Sequence, residues 1–158
     1  MALPTYTLKH FSGCKPDLFD EAIRIRTEVF VIEQEAPPET EPDKFDTPGC
    51  HHWLAYASNA DHAVATGRMF ADSNEKTLAH IGRMAVLKEH RGKGLGHLTL
   101  SAMLRLAPEV GFKSILLEAQ SHAQPFYAKL GFSAEGEEFM LDNIPHIHMR
   151  LIVACENI

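Results

Sequence analysis

The residues from Arg91 to Gly96 have the types and spacing of an anion-binding loop. Their order is Arg91, Gly92, Lys93, Gly94, Leu95 and Gly96. A glycine at every second position lets the backbone adopt positive φ angles and come close to a ligand. The loop lies where an apolar, strand-like stretch gives way to a helical pattern, and the first N–H groups of a helix have no partner inside it. With the helix dipole and two basic side chains, these donors indicate a pyrophosphate site.

Two other kinds of glycine-rich loop do not match this segment. A P-loop ends in Gly-Lys followed by Ser or Thr, whereas Gly96 is followed by His97 and Leu98. A dinucleotide-binding loop requires a third small residue shortly after its second glycine. If Gly94 and Gly96 are taken as the first pair, that position holds Thr99, which fits poorly.

The elements that must position the loop follow from the hydrophobic pattern. Period-two alternation predicts strands, and apolar residues at helical spacing predict helices. The predicted strands are Thr5–Phe11, His51–Ser58, Ala63–Phe70, Thr77–Val86, Ser114–Ala119, Ser133–Leu141 and His146–Ala154. The predicted helices run from Pro16 to about Gln34, from Leu95 to about Pro108, and from Ala123 to Leu130.

Residues 35–49 are rich in proline and acidic residues, and this composition predicts a long loop. One interpretation is a solvated acidic linker. The other is a functional loop, in which the carboxylates attract a cationic amine. The carboxylates concerned belong to Glu33, Glu35, Glu39, Glu41, Asp43 and Asp46.

Length and composition predict one globular domain over residues 1–158, with 45% hydrophobic and 23% charged residues. No apolar run reaches membrane-spanning length, and the first residues lack the pattern of a signal peptide. Cys14, Cys50 and Cys155 are too scattered for a disulfide framework, so a cytoplasmic location is expected. A net charge of −6 argues against nucleic-acid binding and is compatible with a cationic substrate.

The loop resembles the Arg/Gln-x-x-Gly-x-Gly/Ala loop of the GNAT N-acetyltransferases, which holds the pyrophosphate of acetyl-CoA. A second segment, from Gln120 to Phe132, resembles the family's short helix ending in Tyr-x-x-x-Gly-Phe. The resemblance implies an α/β GNAT fold with a mixed, largely antiparallel, twisted sheet flanked by helices. It also implies that acetyl-CoA lies where the fourth and fifth strands splay apart.

Further motifs resemble the ElaA and YjcF-like branch of this superfamily. They comprise Arg26 to Gln34, then Asp43, Asp46 and His52, and near the end Phe139 to Met149. The branch usually has glycine before Ile-Pro-His, where this chain has Asn143. Asparagine tolerates positive φ, so the turn is expected to persist. Leu141 stands where the branch usually has an acid, and Asp142 follows one place later.

The resemblance implies a role for several candidate site residues. Backbone groups of Met84, Ala85 and Val86 would hold the pantetheine arm and acetyl carbonyl, together with the side-chain amide of Gln120. The Tyr127 hydroxyl would act as general acid for the leaving thiolate; a packing role is the alternative. The general base is expected from the sequence itself to be a carboxylate or an ordered water. Glu33, which ends the first predicted helix beside the acidic loop, is the first candidate, and Glu118, which alternation places on one strand face with Gln120, is the second; a structural ion pair is the alternative for both. His52 and His146, with Glu33, are the residues expected to contact the acceptor amine. For His146, the alternative is a structural hydrogen bond within the last hairpin.

These observations predict direct acetyl transfer from acetyl-CoA to the primary amine of a small molecule or peptide. The alternatives are a non-catalytic acetyl-CoA-binding protein and a metal-binding interaction protein. His51, His52, His146 and His148 are metal-ligand types, but no acidic third ligand is placed by the spacing, and no metal is expected. A homodimer through the last strands is expected from the family alone.

Overall fold

The structure is a computed structural model that describes residues 3–153. Seven strands lie in the order β1-β2-β3-β4-β5-β7-β6. β4 and β5 are parallel, while the β1–β2, β2–β3, β5–β7 and β6–β7 pairs are antiparallel. The predicted mixed, largely antiparallel α/β fold is therefore confirmed. The strands are β1 Tyr6–Ser12, β2 His51–Ala57, β3 Ala63–Ala71, β4 Leu78–Val86, β5 Ser114–Gln120, β6 Ser133–Leu141 and β7 Ile144–Ile152.

Three α-helices accompany the sheet: α1 Pro16–Arg26, α2 Leu95–Glu109 and α3 Gln124–Ala128. Proline suits the first turn of α1, where an N–H would have no helical partner, and Asp17 stands beside the positive end of the dipole. The predicted single helix to Gln34 changes register, because Thr27–Glu33 is π-helical. Among residues 3–153, no helix has both the length and the apolar character needed to cross a membrane.

The chain divides into two compact units, and the first comprises residues up to Phe70 together with Arg83–Met103. Its core joins one face of α1 to strands β1 to β4. One buried cluster includes Phe11, Ile25, Leu54 and Ala85, and a second includes Val64 and Leu95. β3 is buried along most of its length, as expected for a strand covered on both faces. Burial of Leu95 fixes the start of α2, and with it the end of the glycine loop.

The second unit comprises Ala71–Gly82 and the chain from Leu104 onward. Leu78–Ile81 of β4 pair in parallel with Ser114–Leu117 of β5, and β7 pairs with β5 along its length. The turn between β6 and β7 places Asp142 and Asn143 at φ angles of 51° and 62°. Consecutive positive φ angles are typical of a tight hairpin turn, and asparagine and aspartate tolerate them. The predicted end of the last strand, Ala154, and Cys155 lie outside the described residues.

Candidate active site

The glycine loop forms an open backbone cradle at the start of α2. Gly92 and Gly94 have φ angles of 74° and 80°, and no atom lies within 4 Å of a Cβ built at either position. The first helical hydrogen bond joins Leu98 N to Gly94 O at 2.9 Å, so the preceding N–H groups are outside the helical pattern. The segment 91–94 is exposed. The geometry therefore suits a pyrophosphate, which needs close approach to backbone donors.

The turn that leads into this cradle is fixed from two directions. The N–H of Leu87 donates to the carbonyl oxygen of Val64 at 2.9 Å. The hydroxyl of Tyr6 lies 3.0 Å from His90 Nδ1, and the two rings meet edge to face. Inside α2, the Thr99 hydroxyl donates to the Leu95 carbonyl at 2.8 Å. These contacts hold the loop between β1, β3 and α2, elements that the sequence places far apart.

Arg91 has two partners, and the sequence did not predict that it would contact either. Its Nε donates to the carbonyl oxygen of Val86 at 2.9 Å. Its Nη2 donates to Glu33 Oε1 at 2.7 Å, across 58 positions of the chain. The structure thus brings together the first-choice general base, the predicted anion-binding arginine and the predicted pantetheine-binding edge of β4. The local sequence pattern gives no sign of the Arg91–Glu33 contact, because Glu33 ends a helical segment and Arg91 follows a strand 58 positions later.

β4 carries a backbone irregularity immediately before the predicted cofactor edge at Met84–Val86. Arg83 has a φ of 48°, which is rare for a residue with a side chain and indicates local strain. The Arg83 guanidinium is held by Glu41 Oε1 at 3.0 Å and by Asp43 Oδ2 at 3.6 Å, and it lies over the Phe30 ring. The acidic loop therefore contacts the side chain of this residue through ion pairs, although Arg83 Nε and Glu41 Oε1 form no hydrogen bond within residues 3–153.

The acidic loop is an ordered part of the first unit. Arg26, which is 1% exposed, donates from Nε to Glu41 at 2.7 Å and from both terminal nitrogens to Asp46 at 2.8 Å. Arg68 forms a similar bidentate pair with Asp43 and also contacts Asp46 at 3.1 Å. We call these residues, with Arg83, the buried charge network. Three guanidiniums balance three carboxylates in it.

Two interpretations of the acidic loop are therefore corrected. It is not a solvated linker, because Glu41 and Asp46 have side chains that are 0% and 2% exposed. Nor do Glu41, Asp43 and Asp46 present unpaired negative charge to a cationic amine, because each is paired with arginine. The Arg26 guanidinium, with Arg68, lowers the pKa of the Asp46 carboxyl despite burial, which acts in the opposite direction.

His52 lies in the core of the first unit. It is 0% exposed, and its ring stacks on Phe11 with centroids 5.0 Å apart. Neither ring nitrogen has a hydrogen-bond partner among residues 3–153, and Nε2 lies 4.0 Å from Asp46 Oδ1. Burial lowers the pKa of His52 to about 4, so its ring is neutral at pH 7. Complete burial argues against the predicted contact of His52 with a substrate.

Asp46, Cys50 and His52 bring one potential metal ligand each within 4.8 Å of the others. The donors do not suit a cation, however. Both Asp46 oxygens already accept hydrogen bonds, from Arg26, from Arg68 and from the backbone N–H of Asp43. Burial raises the pKa of the Cys50 thiol to about 12, so the thiol is protonated. We therefore assign no metal to this cluster.

The second unit carries the other predicted site residues. Tyr127 of α3 is half-buried, and its ring meets Phe126 and Phe132 edge to face. Burial raises the pKa of the Tyr127 hydroxyl, so this group remains a proton donor near neutral pH. No hydrogen bond to the hydroxyl is formed within the described part of the chain. A protonated hydroxyl that is not committed elsewhere fits the predicted acid role.

Three further predicted residues lie on β5 and β7. Gln120 has its Oε1 atom 2.7 Å from Nε2 of His122. Glu118 has a half-exposed side chain, with Oε1 4.0 Å from Nε2 of His148. His146 is 7% exposed, and its Nδ1 lies 2.7 Å from the Ile144 carbonyl, which can only accept; Nδ1 therefore carries the proton. His146 thus makes the hairpin hydrogen bond that the sequence left as its alternative.

Comparison with known proteins identifies the family. The family model described as acetyltransferase (GNAT) domain matches residues 14–153. The chain is 35% identical to the N-acetyltransferase YjcF of Bacillus subtilis over 130 residues, which covers 82% of this chain and 89% of YjcF. This relative bears out the resemblance to the YjcF-like branch.

Solved structures agree with this result. An acyl-CoA N-acyltransferase from Pseudomonas aeruginosa is 31% identical, with a TM-score of 0.82 and coverage of 93% of this chain and 99% of that protein. Escherichia coli ElaA is 28% identical, with a TM-score of 0.81 and the same coverage. The chain belongs to the GNAT acetyltransferase family and is an N-acetyltransferase, an enzyme of acyl transfer.

Proposed function

We propose that this enzyme transfers the acetyl group of acetyl-CoA to the primary amine of a small molecule or peptide by direct attack. The observation that carries this proposal is the open cradle at Gly92 and Gly94. Positive φ and the empty space above the backbone leave room for a pyrophosphate against the start of α2. Family membership supports acyl transfer, and the cradle supports a coenzyme A thioester as the donor.

The predicted roles assign one step to each group. The amine has a solution pKa near ~10, so it must lose a proton before it attacks. Its nitrogen then forms a bond with the acetyl carbon while the carbon–sulfur bond breaks. Tyr127 supplies a proton to the departing sulfur, and Glu33, or Glu118 as the second choice, accepts the proton from the amine. Backbone groups of Met84 to Val86 and the Gln120 amide orient the thioester.

Coenzyme A release in the presence of candidate amines tests the proposal. Polyamines, amino sugars, aminoglycosides and peptides cover the main chemical classes of primary amine. We expect acetyl-CoA to raise the unfolding temperature and at least one class of amine to release coenzyme A. Stabilisation by acetyl-CoA with every class inert would contradict the proposal that a primary amine of these classes is the acceptor. No stabilisation by acetyl-CoA would contradict the choice of donor.

Gly94→Val tests the cradle itself. A β-branched side chain places atoms where the pyrophosphate approaches and disfavours the φ of 80°. We expect the affinity for coenzyme A, measured by calorimetry, to fall at least about tenfold, or ~1.4 kcal/mol. Gly136→Val is the matched control, because Gly136 has a φ of 77° and equally open surroundings but lies in β6. Equal affinities of the two folded variants would refute the assignment of the cradle.

A further inference from the structure

The Arg91 side chain contacts two groups of the candidate active site, the Val86 carbonyl and the Glu33 carboxylate. Its Nε–Val86 and Nη2–Glu33 contacts are short, at 2.9 Å and 2.7 Å. The two groups that Arg91 contacts also have predicted roles in the reaction. The Val86 carbonyl belongs to the strand edge that orients the thioester, and Glu33 is the first candidate for the general base. While Arg91 holds them, a carbonyl lone pair and one carboxylate oxygen are committed to the guanidinium.

The contacts are also of a kind that can be exchanged. The side chains of Arg91 and Glu33 are 42% and 28% exposed, and an ion pair that is partly exposed contributes little to stability. A pyrophosphate carries more negative charge than one carboxylate and offers several acceptor oxygens to a guanidinium. It would also be held by the backbone donors of the adjacent cradle. The Glu33 carboxylate is therefore the weaker competitor for Arg91.

We propose that Arg91 is a latch: it pairs with Glu33 and Val86 in the free enzyme and with the pyrophosphate when the cofactor binds. This inference rests on the proposed function. Opening the latch releases the Val86 carbonyl to the thioester arm and the Glu33 carboxylate to the acceptor amine in one event. Glu33 thereby couples the two substrates, since cofactor binding exposes the group that receives the amine's proton. Acetyl-CoA consequently binds before the amine can react.

Competition for Arg91 has a measurable consequence for cofactor affinity. Glu33→Gln keeps the shape of the side chain and removes the charge that holds Arg91 back. We expect this variant to bind coenzyme A about threefold more tightly by calorimetry, as the loss of a weak competing ion pair requires. Acetyl transfer by the same variant should fall, because Gln cannot accept the proton. Tighter cofactor binding with slower transfer distinguishes the latch from a purely structural ion pair.

A double-mutant cycle identifies the route of the effect. In an Arg91→Gln background, Glu33→Gln should no longer change the affinity for coenzyme A, because the residue being competed for is absent. Glu28→Gln is the charge-matched control, since Glu28 is an exposed residue of the same π-helical segment. It should leave the affinity unchanged.

The outcomes separate the latch from the proposed function. Unchanged or weaker binding by Glu33→Gln would overturn the latch, and so would equal tightening in both Arg91 backgrounds, which would indicate a general charge effect. In either case the wild type would still bind coenzyme A, and the proposed function would stand. A wild type that binds no coenzyme A would overturn both.

Discussion

Single side chains determine where protons can go in this enzyme, and their environments differ sharply. Tyr127 is half-buried with a raised pKa, so it keeps its proton near neutral pH. His52 is fully buried and stays neutral, which removes it from proton transfer. Glu33 is engaged by Arg91, whereas Glu118 is more exposed. The sequence and the family resemblance suggested all four as site groups, but burial and partners separate His52, which lies in the core, from Tyr127, Glu33 and Glu118, which are at least partly exposed.

Tyr127→Phe tests the acid role, because it removes the hydroxyl and keeps the ring between Phe126 and Phe132. General acid catalysis typically contributes about 10²–10⁴-fold. We expect single-turnover acetyl transfer to slow at least about tenfold, with little change in coenzyme A affinity. Single-turnover measurement is needed because product release can limit steady-state turnover.

Tyr56→Phe provides the control for this experiment. Tyr56 is another partly buried tyrosine with a raised pKa, but it lies on β2 and has no proposed role in the reaction. Its variant should transfer acetyl groups at the wild-type rate. If both variants did so, Tyr127 would be a packing residue and water the proton donor.

The sequence predicted the helices and strands that have a clear local pattern of apolar residues. It did not predict segments whose conformation depends on contacts with residues distant in the chain. Apolar patterns bounded by turn residues located all seven strands, including β6, although β6 is exposed along nearly its whole length. The π-helical segment Thr27–Glu33 and the positive φ of Arg83 left no such pattern. The sequence also did not show that the acidic loop has a defined conformation. Its carboxylates pair with Arg26, Arg68 and Arg83, which come from three separate elements.

The same distinction applies to the candidate site. The glycine spacing predicted the cradle, because positive φ and the absence of Cβ atoms are properties of glycine itself. The Arg91–Glu33 pair could not be predicted, because it depends on how a π-helical segment packs beside β4. Composition also misrepresented the acidic loop, since a count of charges does not show which charges are neutralised.

Glu41→Gln tests the buried charge network at the scale of the elements it joins. The variant leaves Arg26 buried with one charged partner fewer and removes the closest carboxylate from Arg83. Removing one partner of a buried ion pair typically costs about 3–5 kcal/mol. We expect a loss of that size in the free energy of unfolding, measured by urea denaturation.

Glu39→Gln is the control for the network, because it makes the same chemical change at an exposed position of the same loop. Its effect should stay within about 0.5 kcal/mol. Equal stabilities of the Glu41 and Glu39 variants would show that the network contributes no more than a surface charge does.

For the whole molecule, stability against acid depends on groups whose pKa differs between the folded and unfolded states. His52 has a pKa of about 4 in the folded protein, because burial disfavours its charged form, and an ordinary pKa of 6.5 in the unfolded chain. Between these values the unfolded chain binds the proton and the folded chain does not, so stability falls as pH falls. Above 6.5 both states are neutral at this residue, and below 4 both are protonated. Asp46 acts in a different range, because its lowered pKa affects stability only as pH falls below about its unfolded value of 3.8.

His52→Phe should therefore make the protein more resistant to acid. Phenylalanine can stack on Phe11 as the imidazole does, and it removes two buried nitrogens that have no hydrogen-bond partner within residues 3–153. We expect the variant to be at least as stable as the wild type at pH 7. Its advantage should grow as pH falls from 6.5 to 4, by up to ~3 kcal/mol, and then level off. Urea denaturation at half-unit pH intervals measures this difference, with His97→Phe on an exposed position of α2 as the control. If the free energy of unfolding had the same pH dependence in the wild type and in His52→Phe, the pKa of His52 would be the same in the folded and unfolded states, and this prediction would be wrong.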